Sequence, residues 1–300
     1  MSLLNAERWV SIHVFYQGDL DLLITEVLDG FQKSVCGVPE YFFLRYWDGG
    51  PHVRFRFLAG PSATPATVRS AAERVIRSVF DRHPSAPTMS EATYVEQAVV
   101  LGKHEGVVPE ERLAQNDSLE VREYRPETER YGVGGSLAAV EKHFVESSAL
   151  ALRLLQRRPT AEARVLLASR AAVISHDALL TKGHPDMSRV QAVKPEFDAE
   201  TSRLVLRSAR LAIARGTSTG AVSPEFIWHR SITALIRKLD AVIRSELPVG
   251  QTAPITRIVD LCTHLFCNRI GVDLRAERLA RTWLLPEQRL TTDPLLEGSV

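Results

Sequence analysis

The run Tyr41 to Phe57, YFFLRYWDGGPHVRFRF, constrains the fold more than any other stretch of the chain. Two apolar segments flank Asp48-Gly49-Gly50-Pro51, a turn sequence, so the run predicts a β-hairpin with polar groups at alternate positions of its second strand. Side chains on a strand switch faces with period two, which puts His52, Arg54 and Arg56 on one face and Val53, Phe55 and Phe57 on the other. Two guanidiniums about 7 Å apart on a rigid strand make a fixed anion site. A half-buried sheet edge with a merely solvated polar face shows the same alternation. Here the aromatic run and the glycine-proline turn anchor the arginines more firmly than a loop would.

That anion site has to be local, because 37 basic and 36 acidic side chains leave a net charge of +1 and no global field for nucleic acid or anionic membrane. The chain has 300 residues, 45% of them hydrophobic, ample for a real core. Cys36, Cys262 and Cys267 are an odd count without a C-x-x-C pair, which predicts reduced thiols, no zinc site and no disulfide framework. The start, MSLLNAERWVSIHVF, lacks a basic segment followed by a sustained apolar one, and no uncharged run approaches the length of a membrane span. A cytoplasmic protein is expected.

Trp9 to Phe15 alternates as a strand and Leu20 to Lys33 has helical spacing, so with the hairpin the chain opens β-α-β-β. Thr64-Pro65 supplies a cap and first-turn proline for a helix to Arg82, Ser90 to Lys103 predicts another, and Leu119 to Tyr124 a further strand. After Gly132 to Gly135, helical periodicity runs through Leu137 to Gln156, Ala161 to Leu180, Glu196 to Arg215, Pro224 to Arg244 and Pro254 to Asn268. Turn-rich spots occur at Gly183-His184-Pro185-Asp186 and Gly216 to Gly220. The expected class is α+β: an N-terminal mixed sheet with flanking helices (1–135), then a mainly helical half (136–300). Because no low-complexity linker separates the halves, they are expected to form one unit.

Two more constellations carry chemistry. Tyr124-Arg125-Pro126-Glu127-Thr128-Glu129-Arg130-Tyr131-Gly132 sets carboxylates and guanidiniums among tyrosines where a strand ends, which is either a solvated turn or a carboxylate and a cation presented to a cleft. Asp260, His264 and Asn268 fall at i, i+4 and i+8 of the last long helix, where Asp260 would orient the His264 ring. The other histidines lack metal-ligand spacing with a third partner. There is no G-x-x-x-x-G-K-[ST], no G-x-G-x-x-G after a strand, no G-x-S-x-G and no H-E-x-x-H. Several arginines, one glutamate and one histidine suit an enzyme that stabilises an enolate and moves a proton beside a carbonyl.

FFLRYWDGGPHVRFRF at 42 to 57, YRPETERYG at 124 to 132 and HLFCNR at 264 to 269, with WVSIHVFY at 9 to 16, together resemble the C-terminal elimination domain of lantibiotic dehydratases, the thiopeptide-type bacteriocin biosynthesis family. The resemblance covers nearly the whole chain. It implies elimination of glutamate from glutamylated serine or threonine of a ribosomally made precursor peptide, in the split half of a dehydratase whose separate subunit glutamylates from glutamyl-tRNA. By the same resemblance Arg54, Arg56, Glu127, Arg130 and His264 are the catalytic candidates, with His264 preferred for proton transfer and Glu127 as orienter or alternative base. Arg45, His52, Tyr131, Asn268 and Arg269, within the same motifs, are the candidate substrate-binding residues. Precursor peptide with its leader and the glutamylating subunit are the implied partners, without direct nucleic-acid or membrane contact; a homodimer stays open, and no metal or organic cofactor is implied. Two alternatives stay open as well: a thiopeptide pyridine synthase, which joins two dehydroalanines by formal [4+2] cycloaddition and releases the leader, and a non-catalytic leader-binding partner. One departure is Val133, where the motif commonly carries a second glycine.

Overall fold

A computed structural model describes residues 8–35, 40–61, 63–184, 199–219, 222–246 and 254–281. Cys36, Pro185, Asp186, the first residues of the Glu196 to Arg215 prediction and the start MSLLNAE lie outside them. The chain forms two compact units, the first running to Arg158 and including Asn268–Gly271, the second from Pro159 to Cys267 and from Val272 onward.

The first unit is built on four strands, β1 (Trp9–Phe15), β2 (Tyr41–Tyr46), β3 (His52–Leu58) and β4 (Ser118–Arg122), in the order β2-β3-β1-β4. Every pairing is antiparallel, which refines the mixed sheet of the sequence reading within the same α+β class. The predicted hairpin forms with Tyr46 opposite His52, its turn closed by Gly50 N–H donating to Trp47 O at 2.8 Å. Gly49 and Gly50 both take positive φ, +85° and +108°, a conformation that side chains with a Cβ rarely adopt.

One sheet face is apolar, with Ile12, Val14, Phe43, Val53, Phe55 and Phe57 fully buried. Helices α1 (Leu20–Ser34) and α2 (Pro65–Arg82) belong to this side, where Phe31 of α1 lies 4.2 Å from the Phe57 ring. Asp19 caps α1 by accepting from Asp21 N–H and Leu22 N–H, and its apolar stripe of Leu23, Ile24, Val27, Leu28 and Phe31 is buried. Thr64 caps α2 ahead of Pro65, as its sequence predicts. Helix α3 (Glu91–Glu105) starts at the Ser90 cap and pins the hairpin turn: Tyr94 Oη accepts from Gly49 N–H at 2.9 Å and donates to Glu110 O at 2.7 Å. A four-residue helix, α4 (Thr128–Tyr131), leads into α5 (Gly135–Leu155), which reaches the sheet through Phe144 beside Phe42, 5.5 Å between rings.

The second unit is helical: α6 (Ala161–Thr181), α7 (Ala199–Thr219), α8 (Pro224–Glu246), α9 (Ile255–Arg269, whose last two residues group with the first unit) and α10 (Leu274–Arg281). Trp228 anchors its core, donating to Ala171 O at 3.0 Å and Ser175 Oγ at 3.1 Å, while Thr263 joins the same hydroxyl at 2.9 Å. The Gly216 to Thr219 segment, expected as a turn, continues α7, with Gly216 tight against Phe226. Cys262 and Cys267 are buried thiols. Among the described residues no helix is long and apolar enough to cross a membrane, and no group of histidine, cysteine and carboxylate side chains could hold a metal ion.

Candidate functional site

The other sheet face is polar. Antiparallel register sets His52 opposite Phe15, Arg54 opposite His13 and Arg56 opposite Ser11, with Glu120 and Arg122 of β4 completing the rows. Directly paired residues share a face, so alternation on β3 and on β1 brings Arg54, Arg56, His52, His13 and Ser11 together. Each arginine leans on an imidazole: Arg54 Nε–H donates to His52 Nε2 at 3.3 Å, and Arg56 Nη2 lies 3.4 Å from His13 Nε2. The two imidazole rings stack with centroids 5.1 Å apart. Arg54 also lies 3.4 Å over the Tyr46 ring, and Arg56 is 5.8 Å from the Tyr124 ring.

The electrostatics follow from burial. Burial and the neighbouring guanidiniums hold the His13 imidazole well below the usual histidine range. Burial brings His52 down to about 3, against a partial upward pull from its hydrogen bond to Gly50 O. Both rings are therefore neutral acceptors at pH 7, and the cationic charge stays on the arginines. Burial and then the charge of Arg54 lower Arg56 to about 9, and burial lowers Arg54 as well. Arg122 is paired with Glu120 at 2.6 Å and Glu110 at 3.3 Å. Arg54 and Arg56 have no ion-pair partner among the described residues. Two largely desolvated cations side by side without a carboxylate are unfavourable unless an anion joins them.

Glu127 and Arg130 lie in the same unit, bonded to each other at 3.1 Å and about half exposed. The Glu127 charge reaches both Arg54 and Arg56, raising their pKa slightly against the larger effect of burial. Val133 takes no positive φ; Gly132 (+79°) and Gly134 (+59°) do, so the motif's departure falls where a Cβ is tolerated. Tyr124 Oη donates to Glu141 Oε1 at 2.8 Å, and burial pushes both groups up in pKa.

The remaining substrate-binding candidates make contacts inside the fold. Asn268 forms a two-way clamp on the β2 backbone, accepting from Arg45 N–H and donating to Arg45 O, both at 2.9 Å. Arg269, fully buried, donates through Nε to Phe43 O at 2.9 Å and lies 5.1 Å over the Phe144 ring. Arg45 bonds to Asp21 and donates to Arg269 O at 3.2 Å. Tyr131 is buried edge-on against Phe144 at 5.4 Å.

His264 belongs to the second unit, and its partner there corrects the sequence reading. Asp260 does not orient it: Asp260 is bonded to the Arg281 guanidinium. Glu277, 5% exposed, meets His264 Nδ1 at 2.7 Å through Oε2, while its Oε1 accepts from Arg281 Nε–H at 2.8 Å. Burial pushes the Glu277 carboxyl up, but the bond to His264 and the charges of His264 and Arg281 outweigh it and leave a lowered pKa. A carboxylate on Nδ1 fixes the tautomer with hydrogen on that nitrogen and leaves Nε2 as the basic atom. Glu277 escaped the sequence analysis because α10 is short and four of its eight residues are charged. Ser11 and His13 escaped it too, although they are the polar alternates of an otherwise apolar strand.

The family model described as lantibiotic biosynthesis dehydratase C-term matches residues 9–285. Among solved structures, the pyridine synthase TbtD from thiomuracin biosynthesis shares the fold with a TM-score of 0.64 at 19% identity, covering 93% of this chain and 96% of that one. The tRNA-dependent lantibiotic dehydratase MibB from Microbispora sp. 107891 does so with a TM-score of 0.58 at 18% identity, over 93% of this chain and 28% of that one. No curated protein matches the sequence significantly. With the family model spanning all but the ends of the chain, this protein belongs to the lantibiotic biosynthesis dehydratase C-terminal family.

Proposed function

We propose that the protein tailors a ribosomally made precursor peptide by eliminating glutamate from glutamylated serine or threonine, leaving dehydroalanine or dehydrobutyrine. The observation that carries this reading is the pair of half-buried arginines, Arg54 and Arg56, held on neutral imidazoles with no carboxylate partner among the described residues. The departing group is itself a carboxylate. A base takes the α-proton, its electron pair forms the Cα–Cβ double bond, and the Cβ–O bond breaks with its pair leaving on glutamate. Cations aimed at the leaving carboxylate and the enolate oxygen lower that barrier most, and a guanidinium fork matches a carboxylate as an ammonium does not. His264 is assigned the proton transfer on its own geometry, with Nδ1 held by Glu277 and Nε2 left basic. Glu127 and Arg130 are assigned to the rim of the arginine face. The leader-bearing precursor and a separate glutamylating subunit are the proposed partners, in the cytoplasm.

A second reading, formal [4+2] joining of two dehydroalanines, has one observation in its favour: TbtD carries this fold over 96% of its own length. Mass spectrometry separates the two when the protein is incubated with a glutamylated precursor and, in parallel, with a dehydroalanine-rich azole peptide, each with its leader. Loss of glutamate from the first supports elimination, and release of the leader with a new six-membered ring in the second replaces it with cyclisation. Silence in both leaves leader binding. Arg54→Ala and His264→Ala are each expected to lower turnover at least about a hundredfold, and near wild-type rates in both would sink the assignment.

A further inference from the structure

Three donors on the arginine face are buried without an acceptor. Ser11 is 2% exposed and sits opposite Arg56; His13 is 5% exposed and sits opposite Arg54. A guanidinium has hydrogens to give and no lone pair to offer, so at the 3.4 Å contact His13 Nε2 accepts from Arg56 Nη2. The hydrogen of the neutral ring is thereby assigned to Nδ1. In His52 the same tautomer is satisfied, because Nδ1–H donates to Gly50 O at 2.9 Å. In His13 the Nδ1–H has no acceptor among the described residues, and neither do Arg56 Nε–H and the Ser11 hydroxyl.

A buried donor left without an acceptor costs about 1–3 kcal/mol. Here three lie on one sheet face, one of them on Arg56 itself and the others opposite Arg54 and Arg56, and all three have the same need. Water would bring lone pairs but also two hydrogens of its own into a field of donors. A carboxylate oxygen brings lone pairs and negative charge only, which suits donors and guanidiniums alike. The carboxylates around this face are already engaged: Glu120, opposite His13, is bonded to Arg122, and Glu127 is bonded to Arg130.

We propose that Ser11 Oγ–H, His13 Nδ1–H and Arg56 Nε–H are the donors of a subsite for the oxygens of a ligand carboxylate, reached as the half-buried Arg56 side chain turns. The ligand class, a carboxylate, follows from the donors; its identity as the glutamate expelled from the peptide rests on the elimination reading. Ser11 and His13 thus become binding residues in addition to the arginines, and His13 holds Arg56 with one nitrogen while offering the other.

The test is calorimetric titration of the full chain with glutarate, the dicarboxylate skeleton of the leaving group, and with L-glutamate. Ser11→Ala removes one oxygen atom and leaves Arg56 and His13 in place. His13→Gln sets an amide oxygen near the Nε2 position, so Arg56 keeps its acceptor while the Nδ1 donor is lost. Each change is expected to weaken binding about tenfold, the effect of one hydrogen bond to a charged acceptor. Unchanged affinity in both variants, or no carboxylate binding by the wild type, overturns the proposal. Glutamate release from a glutamylated peptide is read separately. A wild type that binds glutarate and releases no glutamate retains the subsite and loses the elimination reading, whereas elimination by Ser11→Ala and His13→Gln at wild-type KM removes the subsite and keeps the reaction.

Discussion

Acidification from pH 7.5 to 5.5 should destabilise the first unit steeply, because three of its histidines are buried and neutral. Burial, first, and nearby guanidinium charge lower His13, while burial lowers His52 and His143 to about 3 each. The sign follows from proton counting: between the unfolded value near 6.5 and these lowered native values, the unfolded chain binds a proton that the native ring refuses, so stability falls as pH falls. The native values lie far below the window, so the slope inside it is set by the unfolded value alone. Each ring then contributes a loss of about 1.4 kcal/mol between pH 7.5 and 5.5, and the three together about 4 kcal/mol. That is a large share of the roughly 5–15 kcal/mol of an ordinary domain. Glu141 works the other way, since burial raises its pKa and native protonation then favours the fold in acid, but one carboxyl does not offset three imidazoles. Urea unfolding at pH 7.5, 6.5 and 5.5, followed by circular dichroism, measures the loss; ring resonances of His13 and His52 followed by NMR identify its source. Stability that is flat or rising toward pH 5.5, or rings of His13 and His52 that titrate near 6.5 in the native protein, would refute the neutral-imidazole account of the arginine face.

Arg56→Lys should fail more severely as pH rises, because the burial that brings Arg56 down to about 9 would bring an ammonium, about two units less basic at the outset, toward neutrality; a pH–rate profile that falls off no earlier than wild type counts against it. Glu277→Gln removes the anionic partner of His264 Nδ1 and should lower turnover about tenfold to a hundredfold, whereas Asp260→Asn, which alters only the Arg281 contact, should lower it far less; equal losses in single-turnover assays would restore Asp260 as the orienter. Asn268→Ala loses both 2.9 Å bonds to the Arg45 backbone and should cost about 2–3 kcal/mol of stability in urea unfolding with KM unchanged, and a raised KM at wild-type stability would return Asn268 to the substrate.

What the sequence disclosed is what one segment decides by itself. The hairpin was legible because turn chemistry and period-two alternation are local, and β3 shows the buried and half-buried alternation that its residues predict. Pairs from distant segments were not. Glu277 lies 13 residues beyond His264 on a short charged helix, while Asp260 had the attraction of helical spacing, so spacing within one helix selected the wrong carboxylate. Asn268 and Arg269 belong to a motif rich in polar groups, yet their hydrogen bonds run to β2 backbone more than 220 positions away, a structural assignment that no local pattern contains. His13 is the instructive omission. Its contact with Arg56 spans 43 positions, but the alternation that exposed the arginines was present in WVSIHVF as well, where every residue is buried and only Ser11 and His13 are polar. A strand buried on both faces normally reads as a continuous apolar run. Polar residues at i and i+2 within such a run have to meet polar groups on the neighbouring strand, because a buried donor or acceptor cannot be left to solvent. In this sequence both partner strands carry that polar alternation, His52-Arg54-Arg56 on β3 and Ser118-Glu120-Arg122 on β4, so the place of β1 between them and the composition of the arginine face follow from a single rule applied to the three strands together.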